Sequence, residues 1–212
     1  MPSEQFLRLP PEQQERILQA SLVAFAEHGY DLASTNRIVR DAGISKGVLF
    51  KYFQDKQALF LHVVEWSTGR YLTGLPRLVD LPIFEWMKVT TQHKLRFLRD
   101  RPHDYRLALR LAREPEHPVH ALALRLQTER LRALRPDAPA WDPGGHLRPG
   151  VTQEHIWNLL NWIAAGLQEK FVDRLPDVVG ERFEEVYQAL TDEFEVYLGI
   201  LQFGLYEGEA PS

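Results

Sequence analysis

Apolar residues recur at intervals of three and four along most of this chain of 212 residues. That spacing is typical of one face of an α-helix. Leu18, Leu22 and Phe25 show it first, and Gly29 is suited to close their helix in the left-handed conformation. We find neither a convincing strand pattern nor a repeat of fixed period. The sequence therefore predicts an all-α fold.

Capping residues and prolines divide the chain into helices and connections. Ser45, Asp55 and Thr152 precede helical runs, and their side-chain oxygens suit helix N-caps. Prolines interrupt the pattern near residue 80, where we expect a hinge, and in the proline- and glycine-rich stretch 136–150, which we expect to be a surface loop. The predicted helices cover about residues 11–29, 35–42, 45–52, 55–66, 84–100, 103–113, 118–135, 152–175 and 180–206.

Composition narrows the available chemistry. The chain has no cysteine, which excludes disulfides, thiolate nucleophiles, iron–sulfur clusters and thiolate zinc sites. No window approaches the run of about 18 apolar residues that a membrane helix needs. The first residues also lack the pattern of a signal peptide. We therefore expect a cytoplasmic protein with no membrane partner.

The formal net charge is −4, and the charged residues are distributed unevenly along the chain. Residues 34–56 carry a net charge of +3, residues 86–135 one of +7, and residues 169–212 one of −8. A chain that contacted nucleic acid along its whole length would not end so acidic. Any contact with nucleic acid is therefore expected in one part of the chain.

The most informative segment is residues 34–53, STNRIVRDAGISKGVLFKYF. It predicts two short helices joined through Gly43, which is the layout of a helix-turn-helix whose second helix enters a major groove. Ser45 and Lys46 begin that second helix, and Gly47 leaves room for a phosphate backbone. Donors suited to phosphates follow at Lys51, Tyr52 and Lys56. A small helical bundle with a solvated basic face explains the same residues, and spacing alone does not decide between the two.

Residues 17–66 resemble the N-terminal domain of the tetracycline-repressor (TetR) family of bacterial transcription regulators. The resemblance is carried by Thr35 and by the runs FAEHGY (25–30), IV (38–39), AGISKG (42–47), LFKYF (49–53) and KQALF (56–60). It implies an N-terminal three-helix helix-turn-helix domain joined to a larger helical domain that binds a small-molecule effector and dimerises. It also implies a homodimer on a palindromic operator in double-stranded DNA.

The resemblance also assigns roles to single residues. It implies phosphate contacts by Thr35, Tyr52 and Lys56, and groove-facing positions for Ser45, Lys46 and Gly47. At Phe50 the family often has tyrosine, so one hydroxyl bond to a phosphate is absent here. The predicted DNA-binding residues are Thr35, Ser45, Lys46, Gly47, Phe50, Lys51, Tyr52 and Lys56.

Two rival patterns point to enzymes or metal sites. Residues 43–47 match the G-x-S-x-G elbow of serine hydrolases, but the elbow needs a buried strand before it and a parallel sheet around it, and neither is predicted. Glu116, His117 and His120 resemble half of a zinc motif, but their order is wrong and Pro118 disturbs the helix, so we expect a solvated loop end. We predict no catalytic residue, no metal and no cofactor, and we do not expect an enzyme.

The predicted second domain carries the candidates for dimerisation and ligand binding. Apolar stripes on the helices predicted at 152–175 and 180–206 resemble the family's dimer interface, although completing the monomer's core is an alternative. Large aromatic side chains line many apolar pockets, although core packing explains most of them. The predicted ligand-binding residues are Trp66, Tyr105, Arg106, Trp157, Trp162 and Phe171. Nearby arginines suit an anionic amphiphile such as a fatty-acyl thioester, or are simply solvated: Arg96, Arg99, Arg101, Arg106, Arg110 and Arg113.

We therefore predict a helix-turn-helix DNA-binding domain at residues 1–54, packed on the start of the next helix, and an effector-binding and dimerisation domain at residues 55–212. The predicted function is that of a ligand-responsive transcriptional regulator, a repressor released from its operator by a small apolar or amphipathic effector. The alternative is a helical small-molecule-binding or protein-interaction module without operator binding. A steep dependence of DNA affinity on salt is expected only for the regulator.

Overall fold

The computed structural model describes residues 2–73, 75, 83–114, 116–132, 147–174 and 181–205. Helices dominate these ranges and no strand of a sheet occurs in them, so the predicted all-α fold is confirmed. The helices are α1 (Glu4–Leu7), α2 (Pro11–Leu32), α3 (Thr35–Ala42), α4 (Lys46–Tyr52), α5 (Lys56–Leu72), α6 (Ile83–Asp100), α7 (Pro102–Arg113), α8 (Pro118–Arg132), α9 (Gln153–Arg174) and α10 (Glu181–Leu205). None of the helices in these ranges combines the length and the hydropathy of a membrane-spanning segment.

Side-chain caps begin the two helices that matter most for the site. Ser45 Oγ accepts a hydrogen bond from the backbone N–H of Val48 at 3.3 Å, and this starts α4. Asp55 Oδ1 accepts one from the N–H of Ala58 at 2.7 Å, and this starts α5. These bonds satisfy amide groups that a helix leaves unpaired at its first turn, so both predicted caps are confirmed.

Glycines shape the ends of the two helices before the site. Gly43 has a φ of 67° and closes α3, which is the left-handed conformation expected there. Gly29 has a φ of 73° and kinks the chain, but helical structure resumes through Leu32. The regular helix is therefore interrupted at the predicted glycine, and the short helical turn after it is what the prediction did not include.

Packing divides the chain into two compact units. The first comprises residues 1–74 and 100–133, and so contains α1 to α5 together with α7 and α8. The second comprises residues 75–99 and 134–212, and contains α9, α10 and nearly all of α6. The predicted division of roles between residues 1–54 and 55–212 stays a prediction, since compact packing units are not functional assignments.

The first unit has an aromatic core. The rings of Phe25 and Phe60 meet edge-to-face with centroids 4.9 Å apart, and those of Phe6 and Phe53 lie 4.8 Å apart. All four side chains are fully buried. Each buries a large apolar area and stabilises the packing of α1, α2 and α5 around the turn between α3 and α4.

The second unit combines a smaller described core with an exposed apolar face. Its buried side chains come from all three helices and include Leu98, Leu160 and Phe194. Trp162 on α9 and Val196, Ile200 and Phe203 on α10 are exposed. Residues 136–146 of the predicted loop lie outside the described residues.

Candidate nucleic-acid interface

The helix-turn-helix is held to the first unit by one side of each helix. Ile38 and Ala42 of α3 and Leu49 of α4 are buried in the core. The opposite side of α4 is exposed, including Ser45, which caps it, and Lys46. The α4 helix therefore presents its polar first turn to the outside, as a recognition helix must.

A short N-terminal helix braces the other end of α4. The N–H of Ser3 donates to the carbonyl oxygen of Tyr52 at 2.8 Å, and the buried ring of Phe6 lies 5.8 Å from that of Tyr52. Sequence reasoning missed α1. The available signal was a serine before Glu4, since Ser3 Oγ accepts from the N–H of Phe6 at 3.4 Å.

The arginines of α3 already form ion pairs with acidic neighbours. Arg37 lies 3.6 Å from carboxylate oxygens of both Glu27 and Asp41, and it contacts His28 at 2.8 Å. Arg40 Nε donates to Asp41 at 3.1 Å. These two cations are therefore partly neutralised inside the protein, and they contribute less to an anion-binding surface than the net charge of the segment suggests.

The lysines of α4 differ from these arginines. Lys46 and Lys51 are exposed, and neither makes an ion pair or a side-chain hydrogen bond with a residue that the structure describes. Lys56 is half-buried; its amine donates to the carbonyl oxygen of Asp31 at 3.0 Å and lies 5.0 Å from the centroid of the Tyr30 ring. Burial lowers the pKa of Lys56, and one of its three donors is already used. Within residues 34–56, the unpaired positive charge is thus concentrated on α4.

Nothing in the fold requires glycine at position 47. The φ of Gly47 is not positive, and a Cβ added there would meet no atom within 4 Å. Glycine costs stability inside a helix relative to alanine. An exposed glycine in a seven-residue helix, with nothing packed against it, is what close approach of a nucleic-acid backbone would require.

The remaining predicted DNA-binding residues lie around this helix. Thr35 is the first residue of α3, Phe50 is exposed on α4, and Tyr52 is half-buried against α1. All of them belong to the first unit. Their roles as base or phosphate contacts stay predictions.

The predicted ligand-binding residues are divided between the two units. Trp66, Tyr105 and Arg106 lie in the first, and Trp157, Trp162 and Phe171 in the second. Trp157 is half-buried with its ring 6.0 Å from that of Trp86, whereas Trp162 is exposed. The side chain of Phe171 lies outside the described residues. The ligand-binding role of this set stays a prediction.

Arg110 has a role that sequence reasoning did not find. From α7 it donates Nε–H to the carbonyl oxygen of Ala26 and Nη2–H to that of Glu27, both at 2.9 Å. These carbonyls precede the kink at Gly29, where the regular helical bonds of α2 are interrupted. Arg110 is thus half-buried and already bonded to backbone oxygens, and it ties α7 to α2. No periodicity signal marks such a long-range bond.

The histidines near residue 118 are not the solvated loop end that we expected. His120 is buried, its ring stacks on that of Phe60 at 5.5 Å, and the rings of His117 and His120 lie 4.6 Å apart. Burial and the neighbouring His117 lower the pKa of His120. Over the described ranges, no group of three or more potential ligands is arranged to hold a metal ion.

This geometry, a short exposed helix following a tight turn in a small helical unit, defines a helix-turn-helix protein. Residues 17–63 match the family described as "Bacterial regulatory proteins, tetR family". An HTH-type transcriptional regulator of Staphylococcus aureus is 31% identical over 91 residues, which cover 42% of this chain and 49% of that protein. The HTH-type transcriptional repressor AcnR of Corynebacterium glutamicum is 36% identical over 90 residues, covering 38% of this chain and 48% of AcnR.

Solved structures match over nearly the whole chain. A TetR family transcriptional regulator from Chloroflexus aurantiacus aligns with a TM-score of 0.62 and 21% identity, covering 98% of this chain and 100% of that one. Salmonella enterica GusR aligns with a TM-score of 0.65 and 21% identity, covering 92% and 98%. The family match thus covers residues 17–63, and the solved structures show that the fold of the chain as a whole is similar to theirs. The two curated relatives are matched over about half of their length.

Proposed function

We propose that this protein is a transcriptional regulator that binds an operator in double-stranded DNA through α4. The observation that carries the proposal is the exposed side of α4 with two unpaired lysines, Lys46 in its first turn and Lys51 in its last. An unpaired ammonium releases counterions from DNA without first breaking an internal ion pair. The glycine between them at position 47, which nothing in the fold requires, supports close approach of DNA.

The proposal includes a homodimer that pairs through the second unit. Val196, Ile200 and Phe203 follow one another at the spacing of one helix face, and all three are exposed on α10. Trp162 of α9 is exposed as well. Large exposed apolar side chains on one helix face favour burial against a partner, and a twofold dimer would place two α4 helices on a palindromic operator. We therefore reassign Trp162 from the ligand-binding set to the dimer face.

The proposal also includes repression that a small apolar or amphipathic effector relieves. Thr91, Lys94, Leu98 and Leu167 line a cavity of about 30 Å³ in the second unit, together with Leu95, Ala164 and Leu190. Burial lowers the pKa of Lys94 to about 8, so this apolar site carries one amine. The cavity has the volume of about one water molecule, so an effector of this class has to widen it by moving the helices that line it. Calorimetric titration with a fatty-acyl thioester tests this class of effector; absence of heat at millimolar ligand contradicts it.

Selection of bound sequences from a random duplex pool at near-physiological salt tests the DNA-binding proposal. We expect enrichment of a palindrome whose half-sites lie about one helical turn or slightly more apart. No enrichment by a protein that circular dichroism shows to be helical and ultracentrifugation shows to be dimeric would overturn the proposal. That result would favour the alternative, a helical module that does not bind an operator.

A further inference from the structure

The first unit contains an open groove beside the N-terminal half of α2 and the C-terminal half of α5. Its volume is about 610 Å³, and Leu7, Arg101 and Arg130 also contribute to its wall. The volume is within the range of small-molecule sites, about 300–1,000 Å³. The groove lies wholly within residues of the first unit and does not include the cavity beside Lys94.

One part of the wall is aromatic and apolar. Trp66 and Leu18 both line the groove. The guanidinium carbon of Arg70 lies 4.2 Å from the centroid of the Trp66 ring, so the indole is held in place by a cation–π contact. A rigid, half-buried indole offers a planar ligand a large contact area at a small entropic cost.

Most charges on the wall are already paired. Arg70 donates to the buried carboxylate of Asp104 at 3.1 Å, and Asp104 also accepts from Ser67 at 2.7 Å. Arg130 is paired with Glu65 at 3.2 Å. These arginines therefore fix the shape of the groove and are not free for a strong ligand contact.

Arg101 and Glu15 are the exceptions; neither side chain makes an ion pair or hydrogen bond with a residue in the described ranges. The side chain of Arg101 is exposed. Burial lowers the pKa of Arg70, and the nearby charge of Arg101 lowers it further, whereas the charges of Asp104 and Glu15 raise it. Glu15 acts on Arg70, which is already paired with Asp104. The unpaired guanidinium of Arg101 is therefore the group that offers a site for one negative charge in the groove that Trp66 lines.

We propose that this groove binds a small aromatic carboxylate, with the carboxylate on the Arg101 guanidinium and the ring against Trp66. A carboxylate matches the planar fork of one free arginine, whereas a phosphate dianion would leave a charge without a partner. This site is additional to the effector site of the proposed function, and its test needs no DNA.

The probe is 1-naphthoate, titrated into the full-length protein by calorimetry, with the neutral isostere 1-naphthamide as its control. We expect the carboxylate to bind at least about tenfold more tightly than the amide, because a charge-assisted hydrogen bond contributes at least this factor. Equal affinities, or no binding of 1-naphthoate at millimolar concentration, would overturn the proposal.

Two pairs of variants locate the site. Arg101→Ala should weaken 1-naphthoate binding by about tenfold, whereas Arg113→Ala, an exposed arginine of α7 outside the groove, should leave it unchanged. Gly69 lines the groove, and a Cβ there would meet no atom within 4 Å. Gly69→Leu should therefore fill the groove and abolish binding, while Gly69→Ala should preserve it.

Both leucine and alanine favour a helix over glycine, so loss of binding in Gly69→Leu cannot be ascribed to unfolding of α5 if the thermal midpoint is maintained. Binding that survives Gly69→Leu, or that falls equally in Arg101→Ala and Arg113→Ala, would place the ligand elsewhere and contradict the proposal. Failure of operator selection would leave these expectations unchanged.

Discussion

The two compact units differ in where their exposed large apolar side chains lie. In the first, Phe6, Phe25, Phe53 and Phe60 are fully buried, and the exposed large apolar residues are scattered over several helices. In the second, three exposed apolar residues share one face of α10. The first unit thus closes around its own core and can present polar helix surface outward. The proposed homodimer would cover the exposed face of α10 in the second unit and leave the polar helix surface of the first unit open.

The largest expected effect concerns the brace between α1 and α4. Phe6→Ala removes a fully buried ring that contacts Phe53 and Tyr52. We expect it to lower the free energy of unfolding by about 3–5 kcal/mol and to weaken DNA binding. Urea unfolding followed by circular dichroism measures the loss. The matched control is Leu7→Ala at the neighbouring exposed position, for which a change within about 0.5 kcal/mol is expected. Similar losses in the two variants would show that α1 does not belong to the core.

The second prediction concerns the exposed face of α10. Ile200→Asp should raise the dimer dissociation constant by about 30-fold or more, because it buries an unpaired carboxylate in the interface. Sedimentation equilibrium measures this constant. Gln188→Glu provides the control, since it adds a carboxylate at an exposed position about a third of a turn around the same helix. It also removes the hydrogen bond from Gln188 to Asp192, which lies within α10 and involves none of the apolar residues of the proposed pairing face. An unchanged dimer in Ile200→Asp would contradict the proposed pairing surface.

The third prediction separates folding from DNA binding within the first unit. Gly47→Ala should stabilise the protein by about 0.5 kcal/mol, because the added methyl meets no atom in the fold. The same methyl should lower affinity for the selected duplex by about tenfold. Gly69→Ala in α5 should give a similar stabilisation without a loss of affinity. A Gly47→Ala variant that binds as tightly as the original protein would show that DNA does not approach this position.

The smallest expected effect is the response of the first unit to acid. Burial lowers the pKa values of His120 and His62, which both belong to this unit. As the pH falls, these histidines are therefore protonated in the unfolded state at a higher pH than in the folded state. The free energy of unfolding should therefore decrease as the pH drops below about 6.5. Amide hydrogen exchange at pH 7.5 and 5.5, corrected for intrinsic rates, should show loss of protection in α2, α5 and α8. His120→Gln should reduce that loss. Equal protection at the two pH values would contradict the expected shift.

Most of the local structure of the first unit could be predicted from the sequence. Gly43 and the caps Ser45 and Asp55 are signals that act within a few residues, and they position α3, α4 and α5. The bond from Arg110 to α2 spans more than eighty residues, and no local pattern contains it. The burial of His120 likewise depends on Phe60, which comes from a different helix. Short-range chemistry is readable from sequence, whereas long-range pairing depends on packing.

The candidate site shows the same limit. Sequence reasoning found the basic residues of the segment from 34 to 56, but it could not tell which of them are free. The structure pairs Arg37 and Arg40 with acidic neighbours and occupies one donor of Lys56, while Lys46 and Lys51 have no partner in the described ranges. Formal charge along a sequence does not reveal these contacts, since the acids come from α2 as well as from α3.

The salt dependence of DNA affinity tests most directly whether the unpaired lysines of α4 contact DNA. The slope of log K against log salt should become shallower by about 0.9 for each phosphate that a variant no longer neutralises, or by about 1.8 for a dimer. We predict this change for Lys51→Ala with the selected duplex. For Arg37→Ala, whose cation is already paired inside the protein, we predict a much smaller change. An unchanged slope in Lys51→Ala, or a larger change in Arg37→Ala, would contradict the assignment of α4 as the DNA-contacting helix.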